Sequence, residues 1–208
     1  MDRIASESAW DELTKLLNDG DEVSAIKLLE ELAASGEWRA SDALGAVYEA
    51  KAQENRKHFT AATKWYQLAT QQTDDPHPHL GLARSYFFGW TAAPDHQCAL
   101  THAQITAPHS DEAAIIAAEL LLIGEGVDRD LATSETQYAV LAKAGYPFAM
   151  LRLSAIARAQ GQSFRATQLL FRGAMRALCL SIFDSKSAFL LGMGGRHGRF
   201  VAGQLHKK

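Results

Sequence analysis

Cysteine is scarce in this chain: Cys98 and Cys179 are the only two among 208 residues, far apart, with no C-x-x-C. That excludes a disulfide framework and suits a reducing compartment. Proline is also rare, with five residues, and no strand-like alternation of Val, Ile and Thr persists. The fold class expected is therefore all-α. Long apolar runs are missing: the best, 113–123, is short and carries Glu119 in its middle. No membrane span is expected. The opening Met1-Asp2-Arg3-Ile4 has no apolar stretch of signal-peptide length, so the expected location is cytoplasmic. Acidic residues nearly vanish from the end of the chain. Residues 1–151 hold 11 Lys/Arg against 23 Asp/Glu, net −12, while 152–208 hold 10 against 1, net +9.

What is present is a repeat with a period near 37 residues. Ala40, Leu44-Gly45 and Tyr48 recur as Leu82-Ala83, Tyr86 and Gly89, and again as Ala113, Ala117-Ala118, Leu121 and Gly124, with a weaker copy at Met150, Ala155 and Gly161. A second half-unit, Ala62, Trp65-Tyr66 and Ala69, is echoed at Ala25, Leu28-Leu29 and Leu32, at Ala99 and His102-Ala103, at Glu135, Tyr138 and Ala142, and at Ala166, Leu169-Leu170 and Gly173. Apolar residues at i, i+3, i+4 and i+7 mark one helix face, and small residues at fixed points let helices approach closely. Each half-unit reads as one helix of a hairpin, with Tyr48 or Trp65 expected to fill the gap beside Gly45 or Ala69. One such hairpin cannot bury its own face, so stacking is obligatory.

Turn residues punctuate this pattern. Asn18-Asp19-Gly20, Gly36, Gly89, Gly124, Gly145 and Gly161 read as helix stops, and Pro76, Pro78, Pro94 and Pro147 stand at or near helix starts. The helices predicted are 7–18, 22–35, 39–54, 59–72, 78–89, 95–106, 111–124, 131–144, 147–160 and 163–180, with a further one at 184–193. The array occupies 1–183, in units near 1–36, 37–73, 74–108, 109–145 and 146–183. Residues 184–208 form a capping helix or flexible basic tail with a glycine-rich joint at 192–198.

The unit A-x-x-x-L-G-x-x-Y at 40–48, A-x-x-W-Y-x-x-A at 62–69 and G-x-G-V-x-x-D at 124–130 resemble the Sel-one-like repeats (SLR), relatives of tetratricopeptide repeats, over about residues 22–177. The resemblance implies a right-handed α/α solenoid of about five antiparallel helical hairpins, a tetratricopeptide-like superhelix. It implies an adaptor or scaffold that binds a protein or peptide and has no catalytic residues. In such arrays the first helix of each hairpin lines the concave side. Anchored on Gly45, Ala83, Ala118 and Ala155, the groove would hold Asp42, Ala46 and Glu49, then Leu80, Arg84 and Phe87, then Ile115, Glu119 and Leu122, then Arg152, Ile156 and Ala159.

Phe87-Phe88 with Trp90 is the sharpest part of that groove, because three such aromatics cannot all point into one helix interface, and aromatic anchors are what interfaces favour; the alternative is that Phe88 and Trp90 pack in the core between repeats. An alternative face lies at the basic end. Arg165, Arg172 and Arg176 follow i, i+7, i+11 on one helix, with Arg158 and Arg152 on the preceding one. That stripe suits an anionic ligand, an acidic peptide or the acidic half of another copy, which would make a head-to-tail contact. Nucleic acid is disfavoured, since the net −12 half would repel a duplex.

Residue patterns for chemistry are weak. His77 and His79 flank Pro78 after Asp74-Asp75, but no ligand pair in this run lies at i, i+4 on a helix, and the run reads as an inter-repeat loop, so no metal is expected. His102 takes the place of Trp65 and reads as a packed histidine. No G-x-S-x-G elbow is present, and the glycines from Gly192 on neither follow a strand nor precede Lys-Ser or Lys-Thr, so no cofactor is expected.

Overall fold

Ten α-helices follow one another, and among the described residues there is no strand. This computed structural model describes the backbone of residues 3–183 and the side chains of residues 7–179. The helices are α1 (Arg3–Asp19), α2 (Glu22–Ala34), α3 (Trp38–Lys51), α4 (His58–Gln72), α5 (His79–Phe88), α6 (His96–Thr106), α7 (Asp111–Ile123), α8 (Leu131–Ala144), α9 (Pro147–Ala159) and α10 (Ser163–Phe183). The all-α expectation holds, helix by helix. α1 begins earlier than predicted because Arg3-Ile4-Ala5-Ser6 contains no glycine or proline to stop it. The predicted helix at 184–193, the glycine joint and the tail lie outside the described residues.

Local chemistry sets the boundaries. Asp21, Asp95 and Asp130 open α2, α6 and α8, their carboxylates accepting from the backbone N–H of Ser24, Cys98 and Thr133 at 3.1, 3.0 and 3.0 Å. Pro147 occupies the first turn of α9, where its missing N–H is no loss. Gly145 closes α8 at φ +99°, in the left-handed region that a side chain rarely adopts.

The chain divides into two compact units, Met1–Ala117 and Ala118–Lys208, with the boundary inside α7. In the first, helices pair as successive hairpins, α1 with α2, α3 with α4 and α5 with α6, and each hairpin packs on the next. Its core has two clusters. Leu13, Leu29, Leu32 and Leu44 form one, and Phe59, Tyr66, Leu82 and Trp90 anchor the other. In the second, Leu120, Leu121, Tyr138, Leu141, Leu153 and Ile156 are buried. There Ser134 Oγ donates to the Ala118 carbonyl at 2.9 Å, and Ser154 Oγ to that of Ala166 at 2.8 Å. A short hydroxyl on each helix thus lets the backbones come close while keeping a buried polar group satisfied.

The side chain that fills the gap beside Gly45 is Tyr66, not Tyr48 or Trp65, which remain half-buried against the first cluster. The Tyr66 ring is wedged between Gly45 of α3 and Gly81 of α5. A Cβ at Gly45 would stand 2.5 Å from Tyr66 Cε1, and one at Gly81 would clash with the same ring. The ring faces Gly45 because α4 turns the Trp65–Tyr66 pair so that its second member points inward, a choice of roughly 100° that the pattern of apolar letters leaves open.

Candidate functional site

Tyr66 carries its hydroxyl to the rim of the first-helix face. There Oη donates to Glu49 Oε2 at 2.8 Å, and Arg84 Nη2 donates to the same carboxylate oxygen at 2.8 Å. The Arg84 Nη1 reaches Glu112 Oε2 at 3.3 Å, so α3, α5 and the start of α7 are tied along one line. Burial by itself would lower the Arg84 pKa, but Glu49 and Glu112 more than offset it and the guanidinium is held firmly charged. Burial, followed by the Glu49 charge, pushes the Tyr66 phenol far above its ordinary value. Beside it Asp42 sits 3.6 Å from His77 Nε2, with a pKa raised by burial and partly restored by His77.

The second unit repeats the device. Tyr138 Oη donates to Glu119 Oε1 at 2.5 Å, and Arg152 Nε donates to the same oxygen. The Arg152 guanidinium also lies over the Phe148 ring, 4.8 Å from its centroid. Glu119 is only 1% exposed. Each cluster is a carboxylate from a first helix, a phenol from the second helix of that hairpin and a guanidinium from the first helix of the next. Inside a low-dielectric site such a triad is costly to break and restrictive in geometry, which suits a device that fixes how one hairpin sits on its neighbour.

A third polar cluster lies in the first unit. His79 and His102 share a hydrogen bond between their Nδ1 atoms at 2.7 Å, and His102 stacks on Tyr86 at 5.6 Å with the rings within 5° of parallel. Gln67 Nε2 donates to Tyr86 Oη at 3.3 Å. Burial, then His79, pushes His102 down to about 4, and burial also lowers His79. The pair is neutral at pH 7. It has the packed histidine expected at 102 but draws in His79, which sequence spacing groups with His77 instead.

Of the twelve residues predicted for the groove, four are drawn into the two triads: Glu49 and Arg84 in one, Glu119 and Arg152 in the other. Glu119 is turned into the core and has no open face. Leu80, Phe87, Ile115 and Leu122 are half-buried, as is Asp42. Phe88 is half-buried against the second core cluster, and Trp90 is buried and stacked on Phe59 at 4.6 Å. In the fifth unit the anchor shifts by one: Ala155 is exposed, while Ser154 and Ile156 are buried, so Ile156 belongs to the core. The basic stripe is not uniform either. Arg165 is held by Glu135 at 2.8 Å and by Gln162, whereas Arg158, Arg172 and Arg176 are exposed with no ion pair among the described residues. Tyr66, Tyr138 and Glu112 are the members that sequence reasoning misses. The signal that could find the two tyrosines is their place on the second helix of the same hairpin, although the spacing differs: Tyr66 follows Glu49 by 17 positions and Tyr138 follows Glu119 by 19.

Among the described residues no three His, Cys, Asp or Glu side chains are grouped as a metal would require. No described helix is long and apolar enough to cross a membrane.

No family model matches the chain, and no curated protein matches it. Solved structures do. One is a Sel1 repeat protein from Oxalobacter formigenes, at a TM-score of 0.61 and 21% identity, over 91% of this chain and 76% of that one. Another is a protective antigen present in uropathogenic Escherichia coli strains and displaying an SLR fold, at a TM-score of 0.61 and 17% identity. The match covers 86% of this chain but only 41% of the antigen, so the chain spans about two fifths of that protein's length. The chain has an SLR-like helical repeat fold, the architecture that its sequence resembles.

Proposed function

We propose that this chain is a non-catalytic protein-interaction scaffold that takes a peptide or protein segment on the first-helix face of α3 and α5. One observation carries the reading. The charged groups of that face, Glu49 and Arg84, are consumed in joining hairpins, while Leu80 and Phe87 stay partly exposed on the same side of α5 at i and i+7. A face that is stiffened by its ion pairs and open at its apolar side chains can receive a partner without reorganising, which lowers the cost of association. The SLR-like fold supports this reading, since a stacked array has a large surface relative to its core.

The test places a photo-crosslinking benzoylphenylalanine at position 87 in cells, with the same residue at exposed Val140 as control. A discrete protein adduct from position 87 and none from 140 is the expected result. Adducts from both positions alike, or from neither, would remove the α5 face as the site.

A further inference from the structure

The second unit holds a separate surface with different chemistry. α10 exposes Phe164, Phe171 and Met175 at i, i+7 and i+11, with relative exposures of 85%, 66% and 45%. One position on around the helix run Arg165, Arg172 and Arg176. Phe171 and Met175 form one wall of an open cleft of about 670 Å³, whose opposite side is Met150 and the turn after α8. Lys143, Arg172 and Arg176 rim it, and no carboxylate is among the described residues that line it. Arg176 reaches across the cleft mouth to Gly145, where a Cβ would come within 3.1 Å of its Nη2. Neither Arg172 nor Arg176 has a hydrogen-bond or ion-pair partner among the described residues.

We infer that this cleft is a docking site for an acidic amphipathic helix of a partner protein. The inference rests on the interaction-scaffold reading but names a second site and its ligand chemistry. Three features select that occupant. Phenylalanine and methionine side chains are adaptable apolar anchors, and an exposed row of them is the surface that a helix's apolar face covers. The row from Phe164 to Met175 runs about 16 Å along α10, which matches roughly three turns of a partner helix. Three cations with no ion pair among the described residues, around an apolar floor, then call for carboxylates flanking the partner's apolar stripe, and arginine binds a carboxylate through two parallel hydrogen bonds.

Charge also disfavours the nearest alternative. Residues 184–208 carry Lys186, Arg196, Arg199, Lys207 and Lys208 against the single Asp184, the same sign as the cleft. Phe171 and Met175 line an open cleft walled by the α8 turn, with Phe164 further along the same row, a shape that receives side chains from a helix better than it lies on a flat bilayer.

The experiment is a selection with the full chain as bait. A displayed library of helical peptides, about 18 residues long, carries Leu, Ile, Phe or Met at helical i, i+4, i+7 and i+11 spacing, with the polar positions randomised. Selected peptides should be enriched in Asp and Glu beside the apolar stripe. A synthetic copy should bind about tenfold more weakly to Arg172→Glu/Arg176→Glu, with the helical circular dichroism of the chain unchanged, and binding should return when its Glu residues become Lys. Phe171→Ala/Met175→Ala should weaken it as well. Enrichment of neutral or basic residues, or binding indifferent to all four α10 positions, would overturn the inference. If that binding is lost instead on Phe87→Ala, the α5 reading stands while this one fails. Competition by a synthetic peptide of residues 184–208 would make the tail the occupant. Co-sedimentation with phosphatidylserine vesicles that depends on Phe171 and Arg172, without peptide selection, would make it a lipid surface. A dimer in sedimentation velocity that dissolves on Arg172→Glu/Arg176→Glu would make it a second copy. Each of these three also overturns the proposal.

Discussion

Glu49 and Arg84 stand 35 positions apart in the chain and 2.8 Å apart in space, and the Tyr66 hydroxyl donates to the same Glu49 oxygen. Glu119 and Arg152, 33 positions apart, are joined beside Tyr138 in the same way. Residues that look like ligands on a helical wheel thus act first as the fasteners of the array. Substitutions can separate the two roles.

Gly45→Ala should destabilise the chain, although alanine is the better helix former by about 1 kcal/mol. The added methyl group meets the Tyr66 ring, and overpacking of this kind costs about 1–3 kcal/mol. Tyr66→Leu in the same chain should recover part of the loss, because it removes the obstacle. Urea denaturation of the four variants of the cycle measures the coupling, and additivity would show that the ring is not held against Gly45.

Arg152→Met leaves the Glu119 carboxylate buried without its cation, so a loss of about 3–5 kcal/mol is expected. The paired change Glu119→Gln/Arg152→Met should cost far less, since no uncompensated charge remains. Denaturant midpoints decide it. Equal losses for the single and double variants would mean that the pair does not act as a unit. Arg165→Ala, by contrast, breaks a largely exposed pair with Glu135 and should cost about 0.2–1 kcal/mol.

The His79–His102 pair makes stability depend on pH. A histidine whose folded pKa is depressed binds protons more readily when unfolded, so its contribution is fully present above the unfolded value near 6.5 and is lost as pH falls toward the folded value of about 4. For a ring partly in solvent, the loss over that window is on the order of 1–2 kcal/mol. Thermal melts at pH 7, 6, 5 and 4 should therefore converge between the native chain and His102→Gln as pH drops. A gap that stays constant with pH would show that the pair does not titrate with folding.

Gly145→Ala should cost about 1 kcal/mol or more, because φ +99° is strained for any side chain and the methyl would also press on Arg176. Displacing Arg176 should weaken the peptides selected on α10 without touching crosslinking at position 87.

Fold class, helix order and hairpin pairing are legible in the sequence because they rest on periodicity, small residues and stop signals, all of which are local. Gly20, Gly36, Gly89, Gly124, Gly145 and Gly161 all have the positive φ expected of helix stops, and Pro147 opens α9 where its ring fits. The resemblance carried by 40–48, 62–69 and 124–130 is met by the SLR-like fold. What a side chain touches is less legible. Helical register places Asp42, Glu49, Arg84, Glu119 and Arg152 on one face, but register gives direction and not depth. Glu119 and Ile156 are buried because a neighbouring helix covers them, and the fifth unit's shift from Ala155 to Ser154 is a single residue, or roughly 100° of helix.

The sequence by itself determined that this is a chain of helical hairpins, since each hairpin's apolar and small residues demand a neighbour to cover them. It also determined the division of charge. Only tertiary structure decided that Tyr66 and Tyr138 carry Glu49, Arg84, Glu119 and Arg152 into triads, and that Arg172 and Arg176 are left over beside Phe171 and Met175. The physical reason is that a polar group's role depends on whether a partner lies within hydrogen-bond reach. Residues 17 to 35 positions apart meet only when stacked hairpins set the distance between them.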